Sequence, residues 1–95
     1  MSLIVSPAAE ADIDEIWDYS ADNWSVAQAD AYLTDLRRML ERIALNPAIG
    51  APCPRVRPGY RKQSCGSHLI FYRQIGEDVD VVRILHQRMD FARHL

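Results

Sequence analysis

The stretch from Tyr60 to Asp90, YRKQSCGSHLIFYRQIGEDVDVVRILHQRMD, constrains the fold more than any other part of the chain. Apolar and polar side chains alternate along it with the period of two that β-strands require, and two glycine-centred breaks divide it into three runs. Tyr60 to Ser64 is a short strand closed by Gly66 and its serine neighbours. His68 to Ile75 is the next strand, Gly76-Glu77-Asp78 is a hairpin turn, and Val79 to Arg88 follows. In the middle run Leu69, Phe71 and Ile75 share a face with Arg73, against His68, Ile70 and Tyr72. In the last run Val79, Val81 and Leu85 alternate against Val82, Ile84 and His86. Both faces of that run are largely apolar, which marks a central strand.

The residues before this ribbon supply its cover. Leu3, Ile4 and Val5 form an apolar run too brief for a helix, and Ser6-Pro7 ends it with a capping side chain and a proline suited to the first helical position. Strand one therefore passes directly into a helix. Ala9, Ile13, Ile16, Trp17, Ser20 and Trp24 recur at three- and four-residue steps and are expected to face the core, with Glu10, Asp14, Glu15, Asp18 and Asp22 mainly elsewhere. Ser25-Val26-Ala27-Gln28 matches a capping box and opens a second helix. Its apolar stripe, Ala29, Tyr32, Leu33, Leu36, Met39, Leu40, Ile43 and Ala44, runs to Asn46-Pro47, where proline stops it. Two helices in such close succession form an antiparallel hairpin. Asn46 to Gly59 is too rich in proline and glycine for regular structure and reads as a loop carrying Arg55 and Arg57. The order is β-α-α-β-β-β. The expectation is an α+β fold in which a helical hairpin packs on a small antiparallel sheet.

Ninety-five residues suffice for one core, so residues 1–95 are read as a single domain. With 48% hydrophobic and 25% charged residues the composition is that of a globular protein rather than a disordered one. No apolar run approaches the length needed to span a bilayer, and Met-Ser-Leu-Ile-Val-Ser-Pro lacks the basic region of a leader, so a cytoplasmic location is expected. The two cysteines, Cys53 and Cys65, are not spaced as a metal or redox pair and read as free thiols. The net charge of −2 hides a split: residues 1–46 hold nine acidic and three basic side chains, residues 47–95 four acidic and eight basic. An acidic helical side and a basic sheet side follow.

No phosphate-binding glycine loop, paired metal-ligand motif or nucleophile elbow occurs, and neither a cofactor nor a metal is expected. The chemistry-bearing residues gather on the sheet: Tyr60, Arg61, Lys62, His68, Tyr72, Arg73, Arg83, His86 and Arg88. RNA cleavage through the 2′-hydroxyl would need a base, an acid and a cation at one phosphate, parts for which His86 with Arg88, Arg73 or Arg61 qualify. Against this, His86 on an apolar face reads as a hydrogen-bonded core or edge histidine. Arg73 and Arg83 read as partners of carboxylates or as packing along the sheet.

The element order, the Asn46-Pro47-x-x-Gly50 loop, the run Ser67-His68-Leu69-Ile70-Phe71-Tyr72-Arg73 and the ending Leu85-His86-Gln87-Arg88-Met89-Asp90 together resemble the RelE/ParE toxin superfamily, and the ParE branch most. The resemblance covers Leu3 to about Leu95. It implies the toxin of a type II toxin-antitoxin pair, neutralised by a ParD-like antitoxin whose C-terminal segment wraps it, and acting on DNA gyrase without being a nuclease. RelE-like relatives instead cleave mRNA on the ribosome, and they are typically lysine-rich with a catalytic tyrosine near the C-terminal end. Here the pI is about 5.8, Lys62 is the single lysine and no tyrosine follows Tyr72. An acidic chain also gains little from neutralising phosphates. The expectation is therefore a non-enzymatic gyrase-directed toxin without sequence-specific nucleic-acid binding. A ribosome-dependent ribonuclease and a plain binding module with another target are the alternatives. Arg61, Arg73, His86 and Arg88 are the candidates for contacting target or antitoxin.

Overall fold

The computed structural model describes residues 2–89 and 91–95, and their side chains except that of Ala92. Asp90, the last residue of the sequence ribbon, lies outside the described residues. The elements are β1 (Leu3–Val5), α1 (Pro7–Asn23), α2 (Val26–Leu45), a 3-10 turn (Pro47–Ile49), β2 (Ala51–Pro52), β3 (Tyr60–Cys65), β4 (His68–Ile75), β5 (Asp78–His86) and α3 (Phe91–His94). The expected β-α-α-β-β-β order is present. Inside the proline-rich loop the short β2 and the 3-10 turn are additions, and α3 follows the ribbon.

Local chemistry explains the boundaries. The Ser6 hydroxyl accepts the Ala9 N–H at 3.0 Å and donates to the Val82 carbonyl at 2.8 Å, so one side chain caps α1 and ties its start to the sheet. Ser25 Oγ accepts the Gln28 N–H at 3.1 Å, which starts α2. Gly66 and Gly76 open the two hairpin turns with φ of 58° and 60°, a region that suits glycine and crowds a Cβ.

The sheet has the order β1-β5-β4-β3-β2. Ribbon strands β3, β4 and β5 pair antiparallel through their tight turns, but β1 pairs parallel to β5, with Leu3 opposite Val79 and Val5 opposite Val81. The sheet is thus mixed rather than antiparallel throughout. A parallel neighbour needs a long crossover, which the helical hairpin supplies between β1 and the ribbon. As the last run's composition implied, β5 is central.

A second correction concerns which side chains share a face. The β4–β5 register shifts between Phe71 and Tyr72: Phe71 faces Arg83, but Tyr72 faces Val81. This bulge at Val82 resets the alternation. Val79, Val81 and Ile84 join Ile70 and Tyr72 beneath the helices, packed on Ile16, Leu36, Leu40 and Ile43. Leu85 moves to the opposite face with Phe71 and Cys53. There Phe91 of α3 sets its ring 4.9 Å from that of Phe71. A third correction falls on Trp24, expected in the core stripe: α1 ends at Asn23, and Trp24 turns outward with 64% of its surface exposed.

Candidate functional site

The hydrogen-bonded chemistry of the sheet divides between its two ends. Arg61 and Arg73 lie at one of them, since Arg61 is opposite Tyr72 and Tyr60 opposite Arg73. Arg61 is half-buried and donates from Nη1 to the Gly50 carbonyl at 2.7 Å. The Tyr72 hydroxyl meets the same loop, accepting the Gly50 N–H at 2.8 Å and donating to the Pro47 carbonyl at 2.7 Å. Burial pushes the Tyr72 phenol above its ordinary pKa and keeps it a donor. Arg73 pairs across strands with Asp80 at 3.1 Å, and its side chain is 47% exposed. Such a pair contributes little.

His86 and Arg88 belong to the other end, five residues away along β4 or roughly 17 Å at strand rise, where His68 is the register partner of His86. The four sequence candidates therefore form two separate pairs, not one cluster. The rings of His68 and His86 meet edge to face with centroids 5.3 Å apart. Tyr32 of α2 reaches the same point. Its hydroxyl accepts the Ser67 N–H at 2.9 Å, lies 2.7 Å from His68 Nδ1 and 3.2 Å from the Cys65 carbonyl. Every group is satisfied when Nδ1–H donates to the tyrosine oxygen and the tyrosine donates to Cys65. Burial, reinforced by the neighbouring His86, holds the His68 pKa below its ordinary value, so the ring is neutral at pH 7. His86 Nδ1 accepts the Arg88 N–H at 3.1 Å, which fixes its ring. The Arg88 side chain is exposed beyond the strand.

Above these rings opens a cleft of about 520 Å³ between α1 and the ends of β4 and β5. Ile16, Tyr19 and Trp24 form one wall, Ile84 and His86 the other, and Met89 the rim. Tyr19 and Trp24 are 62% and 64% exposed and stack edge to face at 5.9 Å. Two carboxylates enter the lining, Asp12 and Glu15. Asp12 is buried and accepts from Arg83 Nε and Nη2, each at 2.8 Å, and from the Ile84 N–H at 2.9 Å. That contact raises the Arg83 pKa further, and the pair anchors α1 to β5. Glu15 is exposed. Chemically the cleft is an aromatic and aliphatic groove with a negative lip.

Of the four contact candidates only His86 lines this cleft, joined by His68, which the sequence placed among the chemistry-bearing residues of the sheet. Tyr32, Tyr19 and Trp24 were not singled out as site residues, because only the fold brings the two helices to the ends of β4 and β5. The helical stripe even assigned Trp24 to the core. Among the described residues no group of three or more metal-ligating side chains comes together, and no helix is long and apolar enough to cross a membrane.

The comparisons with known proteins agree with this architecture. A family model described as "ParE toxin of type II toxin-antitoxin system, parDE" matches residues 3–91. Toxin ParE1 of Mycobacterium tuberculosis is 55% identical over 93 residues, covering 97% of this chain and 95% of that protein. Toxin ParE1 of Caulobacter vibrioides is 44% identical over 91 residues, covering 96% and 94%. Toxin ParE of Escherichia coli is 32% identical over 93 residues, covering 97% and 90%. In fold, a solved chain from a chromosomal ParDE TA system of P. aeruginosa superposes with a TM-score of 0.80 at 24% identity, covering 90% of this chain and 95% of that one. With a family match over nearly its whole length and relatives of this identity, the chain belongs to the ParE toxin family of type II toxin-antitoxin systems.

Proposed function

We propose that the protein acts as a toxin by binding DNA gyrase, that it does so without cleaving nucleic acid, and that a ParD-like antitoxin neutralises it in the cytoplasm. The observation that carries the non-enzymatic reading is the separation of the parts a ribonuclease would need. His86 stands in a cleft whose lip carries exposed Glu15, a charge that disfavours a phosphodiester, while the Asp12 charge is matched by Arg83. Arg83, on the same strand as His86, is committed to Asp12 in a two-pronged contact. Arg61 and Arg73 sit at the other end of β4, each already engaged. Of the cations that cleavage could use, Arg88 alone stands beside His86, and its side chain is exposed beyond the strand and absent from the cleft lining. The same lining, apolar with exposed aromatic residues, suits a protein partner better than a nucleic acid.

Two assays on the purified chain and on cells expressing it test the proposal. Inhibition of gyrase supercoiling, with filamentous cells and a DNA-damage response, is the expected result, relieved by co-expression of a ParD-like protein. The same inhibition is expected from His86→Ala. Codon-linked mRNA cuts that disappear in His86→Ala, with gyrase unaffected, would overturn it in favour of the ribonuclease.

A further inference from the structure

Charge on this molecule is sorted by face. Between Glu41 and Glu77 the chain contains no acidic residue and six basic ones, Arg42, Arg55, Arg57, Arg61, Lys62 and Arg73. Four of the six belong to the side of the sheet away from the helices. Lys62 is the register partner of Phe71, and Arg73 lies two residues beyond Phe71 on β4, so both share the Phe71 face. Arg55 and Arg57 flank Val56, which packs over that face with Cys53. The α3 turn adds Arg93 between the packed Phe91 and Leu95. Arg57 Nε donates to the Leu95 main-chain oxygen at 2.8 Å, which ties the loop to α3.

Acidic groups do not cancel this face. Asp80 pairs with Arg73, and Asp78, opposite Ile75, takes the Ser2 N–H at 3.1 Å beside the β1 edge. Among the described residues Arg55, Lys62 and Arg93 are exposed and have no ion-pair partner. The acidic side chains that make the chain negative belong mainly to α1, which carries Glu10, Asp12, Asp14, Glu15, Asp18 and Asp22 and no basic residue. They stand on the other side of the sheet. The molecule measures 21 Å even along its shortest axis, whereas charges are screened within about 10 Å at 0.1 M salt. A ligand on the sheet side therefore meets a local positive field.

The same face selects among polyanions. Single strands are held by exposed aromatic rings on which bases stack, and the rings on this side, Tyr60, Phe71 and Phe91, are packed into the second apolar layer. The exposed Tyr19 and Trp24 stand at the far end of acidic α1. Cations without a stacking platform suit the phosphates of a duplex, contacted without regard to sequence. We infer that the sheet face bearing Arg55, Lys62 and Arg93 binds the phosphate backbone of duplex DNA. For its setting this rests on the proposed gyrase reading: the DNA is the segment that gyrase holds, so the toxin touches enzyme and DNA at once.

Fluorescence anisotropy of the full chain with a labelled duplex of mixed sequence, beside a single strand of the same length, provides the test. Duplex binding is expected to fall with salt along a log–log slope of about −3, one phosphate for each of the three cations, or about fortyfold between roughly 50 and 200 mM salt. Arg55→Gln, Lys62→Gln and Arg93→Gln sit at exposed positions, and each reduces the magnitude of that slope by about 0.9. The triple variant binds at least about twentyfold more weakly at the lower salt. Arg37→Gln combined with Arg38→Gln, exposed on α2, leaves binding unchanged. No duplex binding at about 100 µM chain, the weak end of nonspecific affinity, would overturn the inference. Tighter binding of the single strand or of anionic lipid vesicles, full binding by the triple variant, or an equal loss from the α2 pair would do the same. Inhibition of supercoiling is read separately. Inhibition by a chain that binds no duplex removes the DNA face and leaves the gyrase reading, whereas duplex binding without inhibition does the reverse.

Discussion

Asp12 and Arg83 stand 71 positions apart in the chain, yet their contact fastens the first helix to the central strand. Both prongs measure 2.8 Å, and Asp12 also receives the Ile84 amide, so the carboxylate is matched on both oxygens in a buried setting. Removing one partner of such a pair leaves the other desolvated without compensation. Asp12→Ala is expected to destabilise the fold by about 3 kcal/mol, read as a lower urea midpoint with an unchanged slope. A slope that also fell would point instead to loosening of the native state. Part of this was visible from sequence. Arg73 and Arg83 read as partners of carboxylates, and both are. The identity of the partners was not, because periodicity describes which face a residue occupies within its own element and carries no information about what lies across from it. Tyr32 shows the same limit: it belongs to the apolar stripe of α2 by spacing, but its hydroxyl organises the β3–β4 turn and His68.

Between elements, the structure relies on a few places where backbone meets backbone or ring without room to spare. Gly50 is one: a Cβ there would lie 2.5 Å from the Tyr72 hydroxyl and 2.8 Å from the Lys62 carbonyl. Tyr72 is fully buried, so the ring has nowhere to go. Gly50→Ala should cost about 2 kcal/mol by overpacking, whereas Gly76→Ala meets nothing within 4 Å and carries only the strain of its positive φ, about 1 kcal/mol. Thermal melts of the two variants side by side check the ranking, and equal losses would refute the overpacking account. The helices, their caps and the three ribbon strands were legible because each rests on a local signal: Ser6-Pro7, the Ser25 box, alternation and glycine turns. The parallel β1–β5 pairing, the two-residue β2 and the bulge at Val82 were not. A bulge inserts one residue without leaving a mark in composition, and it displaced Leu85 from the face to which strict alternation assigned it. The Tyr19–Trp24 corner escaped for a related reason: helical spacing continued one residue beyond the helix itself.

At the scale of the molecule, two apolar layers share the central sheet. One is roofed by α1 and α2, the other by the proline-rich loop and α3. Because β4 and β5 contribute to both layers, we expect residues 1–95 to unfold as one cooperative unit. Tryptophan fluorescence, which reports from α1 and its end, and far-UV circular dichroism should then give coincident urea transitions; separate midpoints would divide the chain into independent parts. The parallel seam between β1 and β5 has a further, temporal consequence. It joins residues 76 positions apart, as in the Ser6–Val82 bond, so loop closure places it among the slowest contacts to form. During synthesis β1 and α1 emerge long before β5 exists, and the wall of the cleft contributed by Ile84 and His86 is absent until β5 has been made. The cleft is therefore completed late, after the helical wall that borders it has already been made.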